Sequence, residues 1–235
     1  MDKNILSIII PSLNEEANVA IVLNRILELN WPSLGFMPEI IFIDDGSTDN
    51  TERIVRDFQS KSNKIIYLKH NVPLGKGKSV VDGVNISSGK YFIIQDADLE
   101  YNPKDYIPLF NKLSGSEEKM VVGSRFTKRL LPSYFNKYFL ANYFFTWFIN
   151  AVYAADLTDI WTCYKMLSKN LFLSLNIKST DFNIEPEIII KCLKRKVAIE
   201  EIPILYRPRT VAEGKKIGWN DGLKAVWAII KFTFE

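Results

Sequence analysis

Short apolar runs rich in β-branched residues alternate with stretches of helical spacing through the first hundred positions. No other feature of the chain limits its fold as strongly. The expected strands are "ILSIIIP" (5–11), "EIIFID" (39–44), "KIIYLKH" (64–70) and "KYFIIQD" (90–96), and between them lie expected helices over 15–30, 50–61 and 77–88. This succession predicts an α/β fold with a mostly parallel central sheet flanked by helices. Each apolar run ends in a polar cluster: "PSLNEE", "DDGSTDN", "HNVPLGKGK" and "DADLE" in turn. In an open parallel sheet all four clusters meet beyond the carboxyl ends of the strands, where such sheets bind ligands.

The second half reads differently. A further strand is expected over 119–126, then "NKYFLANYFFTWFINAVYAADL" over 136–157, in which the 18 positions 138–155 carry no charge. That is the lower limit for a membrane span. Asn142, Thr146 and Asn150 recur every four residues, opposite Phe144, Phe145, Phe148 and Val152. The pattern suits an amphipathic helix, either in the core or lying in a membrane interface. A helix over 185–196, a strand over 198–208 and a closing helix over 218–234, with Trp219, Trp227, Lys231 and Phe232, complete the chain.

A length of 235 residues suits one domain with a sizeable core, and a net charge of +3 does not indicate nucleic-acid binding by charge. Cys163 and Cys192 form neither a disulfide framework nor a zinc site, as expected in a reducing compartment. The N-terminal apolar run is short and passes at once into polar residues, so no signal peptide is expected.

The polar clusters carry the chemistry. In "DADLE", Asp96 and Asp98 fall on one side of an extended segment, because side chains alternate along a strand. They could share a hard cation, Mg²⁺ or Mn²⁺, with Glu100 next in line, and such a metal neutralises a departing diphosphate. The plain alternative is a solvated acidic turn. In "IDDGSTDNT", Asp49 or Asn50 can cap the next helix, which leaves Asp44 and Asp45 to hydrogen-bond a nucleoside base or ribose. "GKGKS" (75–79) is not a phosphate-binding P-loop, since position 72 is Val72 rather than glycine. Its lysines, Lys76 among them, suit a diphosphate. His70 lacks a nucleophile at recognisable spacing and reads as structural or ligand-contacting. "YRPRTVAEGKKIGW" (206–219) groups Arg207, Arg209, Lys215 and Lys216, a patch for a phosphate-bearing lipid or simply a solvated loop.

"SIIIPSLNEE", "DDGSTDNT", "GKG", "QDADLEYNP" and "GSRF", in this order, resemble the family 2 glycosyltransferases of GT-A fold. "DIWTCYKML", "FNIEPEI", "EEIPILYRPR" and "EGKKIGWNDG" resemble the branch of that family that charges dolichyl or other polyprenyl phosphates with mannose or glucose. The resemblance implies a metal-dependent inverting transferase that uses a nucleotide sugar (GDP-mannose or UDP-glucose) with Mg²⁺ or Mn²⁺. Residues 1–126 would form the nucleotide-sugar half and 127–235 the acceptor half. Pro11, Asn14, Glu15, Asp44 and Asp45 would hold the nucleoside. Asp96, Asp98 and Glu100 would hold the metal and the donor diphosphate, and Arg125 and Arg209 phosphates of donor or acceptor. Processive relatives place a base near Glu185 or Glu187. A phosphate acceptor needs none, being anionic near neutral pH. Lys78 and Ser79 stand where relatives often have small residues. The chain ends at Glu235 without the terminal transmembrane helices of some relatives. Contact with the cytoplasmic membrane face is therefore expected through amphipathic helices or a partner subunit. The alternatives are a soluble transferase that extends a surface glycan, a sugar nucleotidyltransferase and a non-catalytic nucleotide-sugar or lipid-binding module.

Overall fold

A computed structural model describes residues 5–113, 115–127, 137–209 and 219–234. The first half follows the periodicity: β1 (Ile5–Ser12), α1 (Val19–Leu27), β2 (Met37–Asp44), α2 (Thr51–Lys61), β3 (Ile65–Lys69), α3 (Lys76–Ile86) and β4 (Tyr91–Ile94). Then come α4 (Tyr106–Leu113), β5 (Lys119–Ser124), α5 (Lys137–Tyr153), β6 (Lys165–Ser168), α6 (Lys169–Ser174), α7 (Ile184–Lys194), β7 (Ala198–Pro203) and α8 (Trp219–Phe234).

The strands form one sheet in the order β3-β2-β1-β4-β6-β5-β7. β1 pairs in parallel with β2 and β4, β2 with β3, and β5 with β7; β6 alone runs antiparallel, between β4 and β5. The middle of the sheet is covered on both faces, so its strands are continuous apolar runs: Ile8, Ile9 and Ile10 of β1 and Ile40 through Ile43 of β2 are fully buried. Each such side chain contributes roughly 1.5–3 kcal/mol of burial.

Three expectations are corrected. β4 ends at Ile94 rather than 96, and residues 97–98 form a turn followed by Leu99 at a φ of 64°. β7 ends at Pro203 rather than 208, where its partner β5 also ends at Ser124, and Ile204 N makes the last bond to Ser124 O (3.1 Å). Beyond it the chain crosses back, and Tyr206 makes an isolated antiparallel bridge to Tyr101. β6 has no counterpart in the periodicity: it is four residues long and its first, Lys165, is a buried cation.

α5 buries polar as well as apolar side chains, Phe139 and Ile149 among the latter. Asn142 and Thr146 are buried, while Leu140, Tyr143, Phe144 and Trp147 are 55, 64, 57 and 58% exposed. The polar stripe serves the neighbouring loop: Asn150 Nδ2 donates to Leu157 O (2.8 Å), and Leu157 N donates to Asn150 Oδ1 (3.0 Å). Tyr153 OH donates to Thr233 O (3.3 Å) and so ties α5 to α8, which turns Val226, Trp227, Ile230 and Phe234 outward. Among the described residues no helix is long and apolar enough to cross a membrane.

Candidate active site

The four polar clusters meet at the carboxyl edge of the sheet, as the alternation predicts, and they hold one another. Asn14, at the left-handed φ of 54°, accepts from Thr48 N at Oδ1 (2.8 Å), and its own N–H donates to Ser47 Oγ (2.9 Å). Glu15 N donates to Thr51 Oγ1 (3.0 Å) and Glu16 N to Asp49 Oδ2 (3.1 Å). Pro11, in β1, pairs in register with Ile43 just before this junction.

Asp44 and Asp45, expected at the nucleoside, are buried and engaged internally. Asp44 accepts from Ser47 N (2.7 Å) and Tyr67 OH (2.7 Å). Asp45 accepts from Leu74 N and Gly75 N (2.8 Å each), with His70 Nδ1 at 2.7 Å. His70 Nε2 lies 3.2 Å from Asp82, which also pairs with Lys78 at 2.5 Å. Thus His70 is held between Asp45 and Asp82, Asp45 shapes the turn that delivers Lys76, and Asp44 fixes the loop after β2. Gly75, at a φ of 96°, and Gly77 let that turn press on the 179–180 backbone, which a Cβ at either position would strike.

The turn after β4 sends the two aspartates apart, because the segment is not extended. Asp96 meets Lys76 (2.7 Å), and Asp98 meets Arg209 Nη2 (2.6 Å). Burial opposes the charge of Lys76, but the carboxylates of Asp96 and Glu185 outweigh it and hold its pKa well above the ordinary lysine value. Glu100 accepts from Tyr206 OH and from Arg209 N, both at 2.7 Å. Glu15 lies 3.4 Å from the Arg209 guanidinium. Burial, then the charges of Asp96 and Glu100, push the Asp98 carboxyl up to about 7 against the attraction of Arg209. Among the described residues no three acidic, histidine or cysteine side chains converge as a ready metal cage. Even so, the donor set fits a divalent cation: hard carboxylate oxygens of Glu15, Asp98 and Glu100 crowd around a single positive group, the guanidinium of Arg209. A cleft of about 410 Å³ opens beside it, with Arg25, Asn102 and Arg207 on its walls.

Arg125 is clamped by Asp159, Nε to Oδ2 at 2.7 Å and Nη2 to Oδ1 at 2.8 Å, and stacks 5.0 Å from the centre of the Tyr206 ring. It is half-buried beside the site, with its guanidinium fork taken up by Asp159. Glu187 accepts from Lys178 N (2.8 Å) and Ser179 N (2.7 Å), and Glu185 is paired with two lysines; both candidate bases are engaged. Lys215 and Lys216 lie outside the described residues. Asp159, Glu201, Tyr206 and Lys165 were not found from sequence. Glu201, which accepts from Thr158 N and Asp159 N, sits in a strand that reads as ordinary. "DIW" alone gives no hint that Asp159 answers Arg125.

Similarity to known proteins agrees with this geometry. The model for "Glycosyl transferase family 2" matches residues 7–173. The chain is 30% identical to a dolichyl-phosphate beta-glucosyltransferase of Dictyostelium discoideum, covering 100% of this chain and 76% of that protein. It is 26% identical to the low-salt glycan biosynthesis hexosyltransferase Agl6 of Haloferax volcanii, covering 97% of this chain and 52%, about half, of that one. Among solved structures it superposes on glucosyl-3-phosphoglycerate synthase from Mycobacterium tuberculosis, in complex with Mn²⁺, UDP and glucosyl-3-phosphoglycerate. The TM-score is 0.73 at 19% identity, over 99% of this chain and 81% of that one, a likeness of fold.

Proposed function

The chain belongs to glycosyl transferase family 2 and is a glycosyltransferase of GT-A fold, and from that premise we propose that it moves a hexose, glucose or mannose, from a UDP- or GDP-sugar to a polyprenyl phosphate. One observation carries the reading: Glu15, Asp98 and Glu100 gather around a single cationic group at the carboxyl edge of the sheet. Asp98 and Glu100, with Asp96 alongside, would hold Mg²⁺ or Mn²⁺, which supplies charge neutralisation to the departing diphosphate. Arg209 carries a fork of donors suited to phosphate oxygens of donor or acceptor, and Lys76 stands next to the same loop. Pro11, Asn14 and Glu15 frame the nucleoside side, and Asp44 and Asp45 act there through the loops they hold. Residues 1–126 serve the donor and 127–235 the acceptor within one transferase domain.

An anionic acceptor oxygen needs positioning rather than deprotonation. The engagement of both Glu185 and Glu187 supports such an acceptor. So does the likeness to the dolichyl-phosphate beta-glucosyltransferase of Dictyostelium. The outward aromatic faces of α5 and α8 suit a peripheral position on the cytoplasmic membrane face or on a membrane subunit, where amphipathic rings settle.

The test is radiolabel transfer. The protein is incubated with labelled UDP-glucose or GDP-mannose, Mg²⁺ or Mn²⁺ and dolichyl or undecaprenyl phosphate, and the mixture is extracted with organic solvent. Metal-dependent label in the organic phase, lost in Asp98→Ala, is the expected result. Nucleotide release only when glycans are added would move the enzyme to polysaccharide extension and refute the lipid acceptor.

A further inference from the structure

Behind the acidic loop four charged side chains stand in single file, each from a different element. Asp96 follows β4, Lys76 opens α3, Glu185 lies in the first turn of α7 and Lys165 begins β6. Lys76 Nζ is 2.7 Å from Asp96 Oδ1 and 2.8 Å from Glu185 Oε1. The other oxygen of Glu185 is 2.5 Å from Lys165 Nζ, which also donates to the carbonyl of Thr162. The side chains of Lys76, Glu185 and Lys165 are only 9, 3 and 0% exposed, whereas that of Asp96 is 22% exposed. Water therefore screens the inner three very little, and charge at one is felt at the next. Such a row is a poor source of stability, since well-packed apolar residues of similar volume do as well as a buried ion pair.

We infer that Glu185 and Lys165 are positioning residues that set how tightly Lys76 holds Asp96. The inference rests on the reading above, in which Asp96 serves the donor and its cation. Lys76 is shared between two carboxylates, so the attraction it spends on Glu185 is withheld from Asp96, the partly open member that faces the site. The signs alternate along the file, and changes at successive members therefore act on Asp96 in opposite senses. With Glu185 neutral, Lys76 falls wholly to Asp96 and that carboxylate is withdrawn from any other cation. With Lys165 neutral, Glu185 turns to Lys76 alone, draws it back and frees Asp96. The same geometry removes Glu185 from the candidates for a general base.

The full chain and its Glu185→Gln, Lys165→Met, Lys165→Arg and Asp96→Asn variants are titrated with Mn²⁺ alone, free ion being read by electron paramagnetic resonance, with melting temperatures recorded alongside. Glu185→Gln weakens Mn²⁺ binding about tenfold and Lys165→Met tightens it about threefold, the scale on which a neighbouring charge shifts a carboxylate's affinity for cations. Both variants melt earlier, and Lys165→Arg binds as the parent does. If Lys165→Met does not fold, Lys165→Gln carries the same expected sign. Affinities that fall together in both variants, in step with melting temperature, would overturn the inference, since a merely structural role moves them that way. If Asp96→Asn weakens Mn²⁺ binding while Glu185→Gln does not, the inference alone fails. If Asp96→Asn leaves Mn²⁺ binding unchanged, the reading of the site fails and the inference with it.

Discussion

At the carboxyl edge of the sheet the chain buries ions: Asp98, Glu185 and Lys165 are all largely out of water, and each has an opposite charge within 2.6 Å. Along α5 it buries neutral polar groups instead, Asn142 and Thr146, and sends Tyr143, Phe144 and Trp147 outward. Both regions bury polar groups against the usual preference for apolar ones inside, but for different reasons. At the edge, on the proposed function, buried charges are kept because a cationic ligand or a phosphate has to find fixed, poorly screened partners. In α5, the half-buried amide of Asn150 completes the backbone hydrogen bonds of residue 157, where a leucine would leave them open. On that reading the buried charges at the edge serve function, while Asn150 in α5 serves folding.

The two regions are separated most sharply by Asp98→Asn. Hexose transfer should fall about a thousandfold, equivalent to roughly 4 kcal/mol of transition-state stabilisation, with the fold intact by circular dichroism. A near-normal rate would make the edge structural, like α5.

Next comes pH. The carboxyl of Asp98 sits at about 7 in the fold against an ordinary 3.8. Below about pH 4 it is protonated in both folded and unfolded states and contributes nothing. As pH rises from about 4 to 7 the unfolded chain ionises while the folded site resists, so stability falls by roughly 2–4 kcal/mol and then levels off. Urea melts across this range, in chelator, should show the slope in the parent and not in Asp98→Asn. An equal slope in both would place the cost elsewhere.

Asn150→Leu should cost about 1–3 kcal/mol, because two backbone groups of Leu157 lose their partner. Denaturant midpoints check this, and an unchanged midpoint would deny the stripe its folding role. The smallest effect on stability is expected at the outward face: Trp147→Ser with Trp227→Ser should shift it by less than about 0.5 kcal/mol. The same pair should reduce co-sedimentation with anionic vesicles severalfold, which would distinguish a lipid-facing surface from an idle one.

The alternation of apolar runs with helical spacing determined the first four strands, their helices and the convergence of the polar clusters, because a buried parallel strand needs an unbroken apolar run and a surface helix needs a stripe. Both are local patterns, written in consecutive residues. The sequence also marked Asp96, Asp98, Glu100 and Arg209 as residues of one site, and the fold does bring them to one edge. Only the tertiary structure decided their pairing. A single turn at 97–98 sent Asp96 to Lys76 and Asp98 to Arg209, 111 positions further along the chain. It decided too that β6 enters the sheet backwards with a buried lysine, that Asp159 occupies Arg125, and that the polar stripe of α5 points inward. Charge pairing across long separations leaves no periodic trace, since Coulomb attraction depends on distance in space and not on position along the chain.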